Sequence, residues 1–337
     1  MADKLLGSFV WCELMTTDMA AAGSFYSKIV GWKTTPFSPD GSYHTFNTKS
    51  GPVAGMMVLP DEAKKMGAPP HWLMYVGTPN VDDTAQRVAQ LRGRVLKQPA
   101  DIPGVGRYAV VQDPYGTTFG LYQPATPRPQ KSEPGAGDFS WFELYTPNPE
   151  GAWSFYQSLF GWEKTSAMDM GEMGTYQMFG RGGGIPSGGI MKPPPGAPAA
   201  WLPYIMVADA KGVAAAAQAR GGTIVNGPME VPGGDWIAQG MDPQHAMFAV
   251  HSRKPAVKAA GTARTAAPAT ASTAAKATAD KSAGKAKKKA AKKKAAKKAP
   301  KKVAAARRAK PAKRATAKKA ARKSARKAAK KAAKRKK

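Results

Sequence analysis

The 337-residue chain has one cysteine, Cys12. A single thiol excludes an intramolecular disulfide and fits a reducing compartment, and Cys12 is expected to be a small buried apolar residue rather than a nucleophile. The sequence also lacks any apolar run of about 18 residues, and it has no basic N-terminal region leading into a shorter apolar one. The expectation is a soluble cytoplasmic protein with no membrane partner. Acidic residues are nearly missing from one end. Residues 254–337 hold 33 of the 52 Lys and Arg but only one of the 22 Asp and Glu, Asp280, so they net +32 while residues 1–253 net −2. That end has no aromatic residue either, because all eight Trp and all ten Tyr precede it. It has nothing to build a core with and nothing to stack on a base, so residues 254–337 read as a disordered tail.

The first 253 residues carry an internal repeat. "SFYSKIVGW" (Ser24–Trp32) returns as "SFYQSLFGW" (Ser154–Trp162), and "FVWCEL" (Phe9–Leu14) returns as "FSWFEL" (Phe139–Leu144), both at an offset of 130. "HWLMYV" (His71–Val76) and "DPYGTTFGLY" (Asp113–Tyr122) return at an offset of 129 as "AWLPYI" (Ala200–Ile205) and "DPQHAMFAVH" (Asp242–His251). One deletion reconciles the two offsets, so the halves read as diverged copies of one fold. The proline-rich "QPATPRPQKSEPGAG" lies between them and marks a linker. The expected organisation is a domain over 1–123, a linker over 124–137, a second domain over 138–253 and the tail over 254–337.

Within each half the pattern predicts strand, helix, three strands, then the same again. Asp18 can cap the first helix, with Ala22, Phe25, Ile29 and Val30 on its apolar face and Gly31 as its stop. Asn148 caps the corresponding helix, with Pro149 at its first position. "PDGS" (Pro39–Ser42) reads as a turn into the alternating "YHTFNT". A further helix follows Asn80 and is expected to stop at Gly93. "DPYG" is a turn feeding the last strand.

That order, with "D…FY…GW" closing the first helix and "DP.G" opening the last strand, resembles the vicinal oxygen chelate superfamily of glyoxalases, extradiol dioxygenases and bleomycin-resistance proteins. The resemblance covers about 240 residues and is greatest to tandem glyoxalase-like proteins. It implies an α+β fold of two tandem domains, each made of paired βαβββ modules curled into a cup. It further implies a divalent metal, held by His, Gln or Glu on first strands and Glu on last strands, acting as Lewis acid. Carried over residue by residue, the first-strand positions fall on Trp11 and Trp141, the second-module positions on Leu73 and Leu202, and the last-strand positions on Gly120 and Ala249. None of these side chains ligates a metal. No cofactor is therefore expected, and whether the chain is an enzyme stays open.

Alternation along a strand places Trp11, Glu13 and Met15 on one face and Cys12, Leu14 and Thr16 on the other. The first set is expected to line the cup. By the same logic Trp141, Glu143 and Tyr145 line the second cup, with Tyr75, Tyr204, Tyr122 and His251 as neighbours. An aromatic wall with one carboxylate suits a planar or cationic organic ligand. The plainer alternatives are that the tryptophans fill a cup without a metal, and that a tyrosine or backbone amide satisfies each buried glutamate. As catalytic candidates, Glu13 could pair with His71 and Glu143 with His251 for acid/base work. A displaced metal site on Glu13 and His71 would have only two protein ligands, fewer than is usual. The glycine-rich "RGGGIPSGG" (Arg181–Gly189) lacks the Lys-Ser/Thr ending of a phosphate loop, so it reads as a flexible hairpin connection that could cover the second cup.

The tail resembles the lysine-rich tails of linker histones and of some bacterial histone-like proteins. Lys287, Lys288, Lys289, Lys292, Lys293, Lys294, Arg307, Arg308, Lys318 and Lys319 are the expected contacts to the phosphates of DNA or another polyanion, without base readout. Three readings result: a ligand-binding protein tethered to DNA in the nucleoid, an enzyme using Glu13 or Glu143, and a structural body on a DNA-compacting tail.

Overall fold

The computed structural model describes residues 5–126, 131 and 133–254. The expected basic tail, apart from Lys254, lies outside these residues. So does every lysine and arginine assigned to phosphate.

The chain forms two eight-stranded sheets with the same order of strands. In the first half, β1 (Phe9–Thr16), helix α1 (Met19–Ile29), β2 (Lys33–Pro36), β3 (Tyr43–Thr48) and β4 (Gly51–Val58) make one βαβββ module. After a short helix α2 (Asp61–Lys65), the second module follows as β5 (His71–Gly77), α3 (Val81–Gln90), β6 (Arg94–Ile102), β7 (Gly106–Gln112) and β8 (Thr118–Pro124). The spatial order is β2-β3-β4-β1-β5-β8-β7-β6. The modules join through antiparallel β1 and β5, while β1 runs parallel to β4 and β5 parallel to β8.

The second half repeats this with β9 (Phe139–Tyr145), α4 (Pro149–Phe160), β10 (Glu163–Asp169), β11 (Thr175–Gly180) and β12 (Pro186–Met191). It continues with β13 (Ala200–Met206), α5 (Ala210–Gln218), β14 (Thr223–Glu230), β15 (Trp236–Met241) and β16 (Met247–Ser252). The chain is thus α+β, with two tandem domains of the expected topology. Among the described residues no helix is long and apolar enough to cross a membrane.

The local chemistry explains the helix ends. Asp18 accepts from Ala21 N at 2.9 Å, Asn148 from Gly151 N at 3.0 Å, and Asn80 from Asp83 N at 3.1 Å, each tying down an amide that the first turn leaves without a partner. Gly31 and Gly161 take the left-handed conformation after α1 and α4. α3 departs from expectation. It ends at Gln90, and the left-handed residue is Arg92 (φ 67°) rather than Gly93. Gly93 is needed for space instead, since a Cβ there would press into Gln112 O and Val88.

One continuous core runs through both halves, with Cys12, Leu14, Phe25, Trp32 and Met74 of the first packed in the same cluster as Phe142, Leu144, Phe155, Trp162 and Phe248 of the second. Phe9 stacks on Phe142 with ring centroids 3.7 Å apart. Strict alternation from Trp11 would put Phe9 in the cup. A register shift between Phe9 and Trp11 prevents this and turns Phe9 into the core. The same irregularity recurs between Phe139 and Trp141.

Candidate functional site

Each sheet has a face turned away from the shared core, and a separate cluster of side chains lines it. In the first half this cluster comprises Met15, Leu59, Leu73 and Tyr75, with Trp11, Met57, Tyr108, Val110 and Tyr122 among those packed around them. In the second it comprises Leu202, Tyr204 and Ala249, with Trp141, Tyr145, Ile237 and Met247. Parity on β1 and β9 therefore separates cup from core as expected, with Cys12 and Leu14 in the core and Trp11 and Met15 in the cup.

Glu13 is only 7% exposed and Glu143 only 6%. Tyr75 donates to Glu13 Oε2 at 3.0 Å and Tyr204 donates to Glu143 Oε2 at 2.8 Å. Register makes this contact possible, because Tyr75 sits opposite Trp11 on the strand beside β1, and Tyr204 opposite Trp141 beside β9. A second tyrosine hydroxyl stands near each carboxyl and helps hold its charged form, Tyr43 beside Glu13 and Tyr176 beside Glu143. Each of these hydroxyls accepts the indole N–H of its tryptophan, Trp11 at 3.0 Å and Trp141 at 2.7 Å. The result in both cups is a relay running from tryptophan to tyrosine to glutamate, closed by a second tyrosine.

Burial pushes both carboxyls above the ordinary glutamate range, and the tyrosine hydrogen bonds pull back part of that shift. The same burial, with the neighbouring carboxylate, pushes Tyr43, Tyr75, Tyr176 and Tyr204 upward, so all four phenols remain protonated donors. The arrangement holds one carboxyl at an aromatic wall. It can accept hydrogen bonds from a ligand or exchange a proton with one.

Tyr43 and Tyr176 were not recognisable in the sequence as site residues. They lie 133 residues apart, so comparison at 130 or 129 does not pair them. The available signal was a glycine. A Cβ on Gly55 would collide with the Tyr43 hydroxyl, and one on Gly189 with the Tyr176 ring, so each tyrosine reaches over a glycine of the adjacent antiparallel strand.

The histidine pairings expected from the sequence do not form. His71 lies opposite Met15 rather than Glu13, and its Nδ1 is 2.7 Å from Pro69 O. Burial lowers its pKa, which favours the neutral ring. His251 is held between Ser140 Oγ, 3.0 Å from Nδ1, and Asp235 Oδ2, 2.8 Å from Nε2, and neither nitrogen is directed to Glu143. Pairing fails in both cases because it depends on the stagger between strands, which residue types along one strand do not specify. Tyr122 belongs to the first cup, but its hydroxyl donates to Val105 O at 2.9 Å. Tyr145 reaches Gln239 Nε2 at 3.0 Å. The glycine-rich stretch forms the β11–β12 hairpin connection and the start of β12, and Arg181 at its start donates to Leu6 O of the first half at 3.1 Å. A separate shallow groove of about 390 Å³, lined by Lys28, Asp209, Met206 and Val213 among others, lies outside both cups.

The positions that would bear metal ligands do not fit one. Gly120 lies directly beneath the Tyr75 ring, where even a Cβ would overlap the aromatic carbons, so a glutamate there would have to expel Tyr75. Trp11, Leu73, Trp141, Leu202 and Ala249 offer no donor atoms of the kind a divalent ion takes. Among the described residues no three His, Cys, Asp or Glu side chains come together.

Residues 8–121 match the model of the Glyoxalase/Bleomycin resistance protein/Dioxygenase superfamily. The glyoxylase-designated CFP32 of Mycobacterium tuberculosis is 34% identical over 244 residues, covering 71% of this chain and 92% of its own. The anthracycline biosynthesis protein DnrV of Streptomyces peucetius is 28% identical over 260 residues, 72% of this chain and 92% of its own. Among solved structures, the Mn(II)-bound glyoxalase of Novosphingobium aromaticivorans superposes with a TM-score of 0.53 at 14% identity, covering 73% of this chain and 82% of its own. The 2,3-dioxygenase LapB of Pseudomonas sp. KL28 gives 0.52 at 11% identity, with coverage of 74% and 94%. Sequence and fold agree, and the chain belongs to the glyoxalase/bleomycin resistance protein/dioxygenase superfamily.

Proposed function

We propose that the protein binds a small organic molecule in its cups without a metal, and that its basic tail holds it on DNA or another polyanion. The observation that carries the first part is the relay of tryptophan, tyrosine and buried glutamate that stands in place of the family's ligand positions. A carboxyl at an aromatic wall recognises planar molecules that carry N–H or O–H groups or positive charge. The name of DnrV, which refers to anthracycline biosynthesis, is in keeping with a planar aromatic occupant. The tail reading rests on composition alone, +32 over residues 254–337.

A second reading has support in one feature. Burial raises the pKa of Glu13, and a carboxyl that holds its proton to higher pH is better suited to general-acid work on a bound substrate. The test is a thermal-shift screen of planar aromatic compounds against the full chain, run beside metal analysis of the purified protein. A stabilising compound with substoichiometric metal supports binding without a metal. Stoichiometric divalent metal that chelation removes with loss of stability would refute it.

A further inference from the structure

The two cups share a relay, but different partners surround it. At the offset of 130, Tyr145 corresponds to Met15. At the offset of 129, Gln239 corresponds to Val110 and Asn226 to Lys97. The pairing of strands confirms the match, since Asn226 lies opposite Gln239 and Lys97 opposite Val110.

In the second cup these differences act on the carboxyl. Asn226 Nδ2 donates to Gln239 Oε1 at 3.2 Å, which aims the Gln239 amide N–H groups inward. Gln239 Nε2 then lies 3.1 Å from Glu143 Oε2 and 3.0 Å from the Tyr145 hydroxyl, and it also contacts the Tyr204 hydroxyl. Glu143 Oε2 is thereby bonded by both Tyr204 and Gln239, and the Tyr145 and Tyr176 hydroxyls stand near enough to help hold its charge.

Glu13 has the same burial but only the two tyrosines, Tyr43 and Tyr75. The side chains at the other two positions, Met15 and Val110, cannot donate. Lys97 does not compensate, because its Nζ lies 5.7 Å above the Tyr108 ring. A buried carboxylate with half the donors of its twin is costly unless a bound molecule supplies the others.

Resting on the cup-binding reading above, we propose that the cups are functionally unequal. The first is the ligand site, and it takes a planar molecule whose N–H groups, neutral or cationic, bond Glu13 beside Trp11 and Tyr108. The second is closed by its own hydrogen bonds, and Glu143 there is structural.

Benzamidinium and benzoate test this as a matched pair, having nearly the same shape with and without N–H donors. Titrated into the full chain by ligand-detected NMR and calorimetry, benzamidinium should bind once per chain and at least tenfold more tightly than benzoate. Glu13→Gln should weaken it at least tenfold, and Glu143→Gln should change it less than twofold. The Tyr145→Met/Gln239→Val double variant should gain a second site. Two equal sites in the native chain, or loss with Glu143→Gln while Glu13→Gln is spared, would overturn the proposal.

No binding of benzamidinium to any variant would overturn the ligand class and count against the cup-binding reading itself. The inequality of the cups has its own readout without ligand. Glu143→Gln should lower Tm by more than twice the change caused by Glu13→Gln, and equal shifts would overturn it.

Discussion

Tyr26 donates its hydroxyl proton to Asp242 Oδ2 at 3.1 Å, and Tyr156 does the same to Asp113 at 3.1 Å. These residues are the tyrosine of "FY" and the aspartate of "DP", each reaching into the opposite half. The indole N–H of Trp72 bonds Tyr26, and that of Trp201 bonds Tyr156, both at 3.0 Å. Trp32 donates to Gly137 O and Trp162 to Gly7 O, both at 2.9 Å. The repeated motifs therefore join the halves reciprocally, and they lie in the core rather than in the cups. A carboxylate at this depth needs such donors, and each aspartate also accepts two backbone amides of its own turn.

The first prediction concerns this brace. Tyr26→Phe and Asp242→Asn should each lower stability by about 1–3 kcal/mol, because each leaves a buried polar partner unmatched. The double variant should cost less than the sum, with a coupling of about 0.5–3 kcal/mol. Urea denaturation of the full chain measures it. Strict additivity would mean that the bond between the halves contributes nothing.

The second concerns the glycine beneath Tyr43. Gly55→Ala should force Tyr43 off Glu13, since the new methyl takes the space of its hydroxyl. Tyr43→Phe removes the same hydroxyl by deletion. Gly55→Ala should therefore cost less in the Tyr43→Phe background than in the native one, as judged by Tm. An equal cost in both backgrounds would place the strain elsewhere.

A third follows from the raised pKa of Glu13. The folded chain holds this proton more tightly than the unfolded chain, so folding takes up a proton between the two values. The contribution is fully present below the ordinary glutamate range, near pH 4, and is lost as pH rises through the raised folded value. Glu13→Gln mimics the protonated carboxyl and removes that dependence. The stability of the variant relative to the native chain should rise with pH from about 4 and level off above the folded pKa. Urea titrations at a series of pH values check the sign, and a difference that does not vary with pH would contradict it.

The fourth concerns the tail. If about ten phosphates are neutralised, log K for duplex DNA should fall against log salt with a slope near −9. A chain ending at Arg253, without the basic tail, should lose that binding. Fluorescence anisotropy with sequence-scrambled duplexes should show no preference among them. Salt-independent binding, or binding retained by the shortened chain, would refute the tail's proposed role.

The sequence by itself determined the repeat, the βαβββ order, the helix caps and the replacement of the ligand positions by Trp11, Trp141, Gly120 and Ala249. These are legible because alternation, capping and turn chemistry are local, so a few adjacent residues specify them. Only the tertiary structure decided which partner each polar group meets. It set His71 opposite Met15, gave His251 to Ser140 and Asp235, brought Tyr43 and Tyr176 onto the glutamates, and sent Tyr26 to Asp242. These contacts depend on strand stagger, on the irregularity before Trp11 and on the packing of one half against the other. Residues between 16 and more than 200 positions apart meet there, and no periodicity within a strand encodes how far its neighbour is shifted.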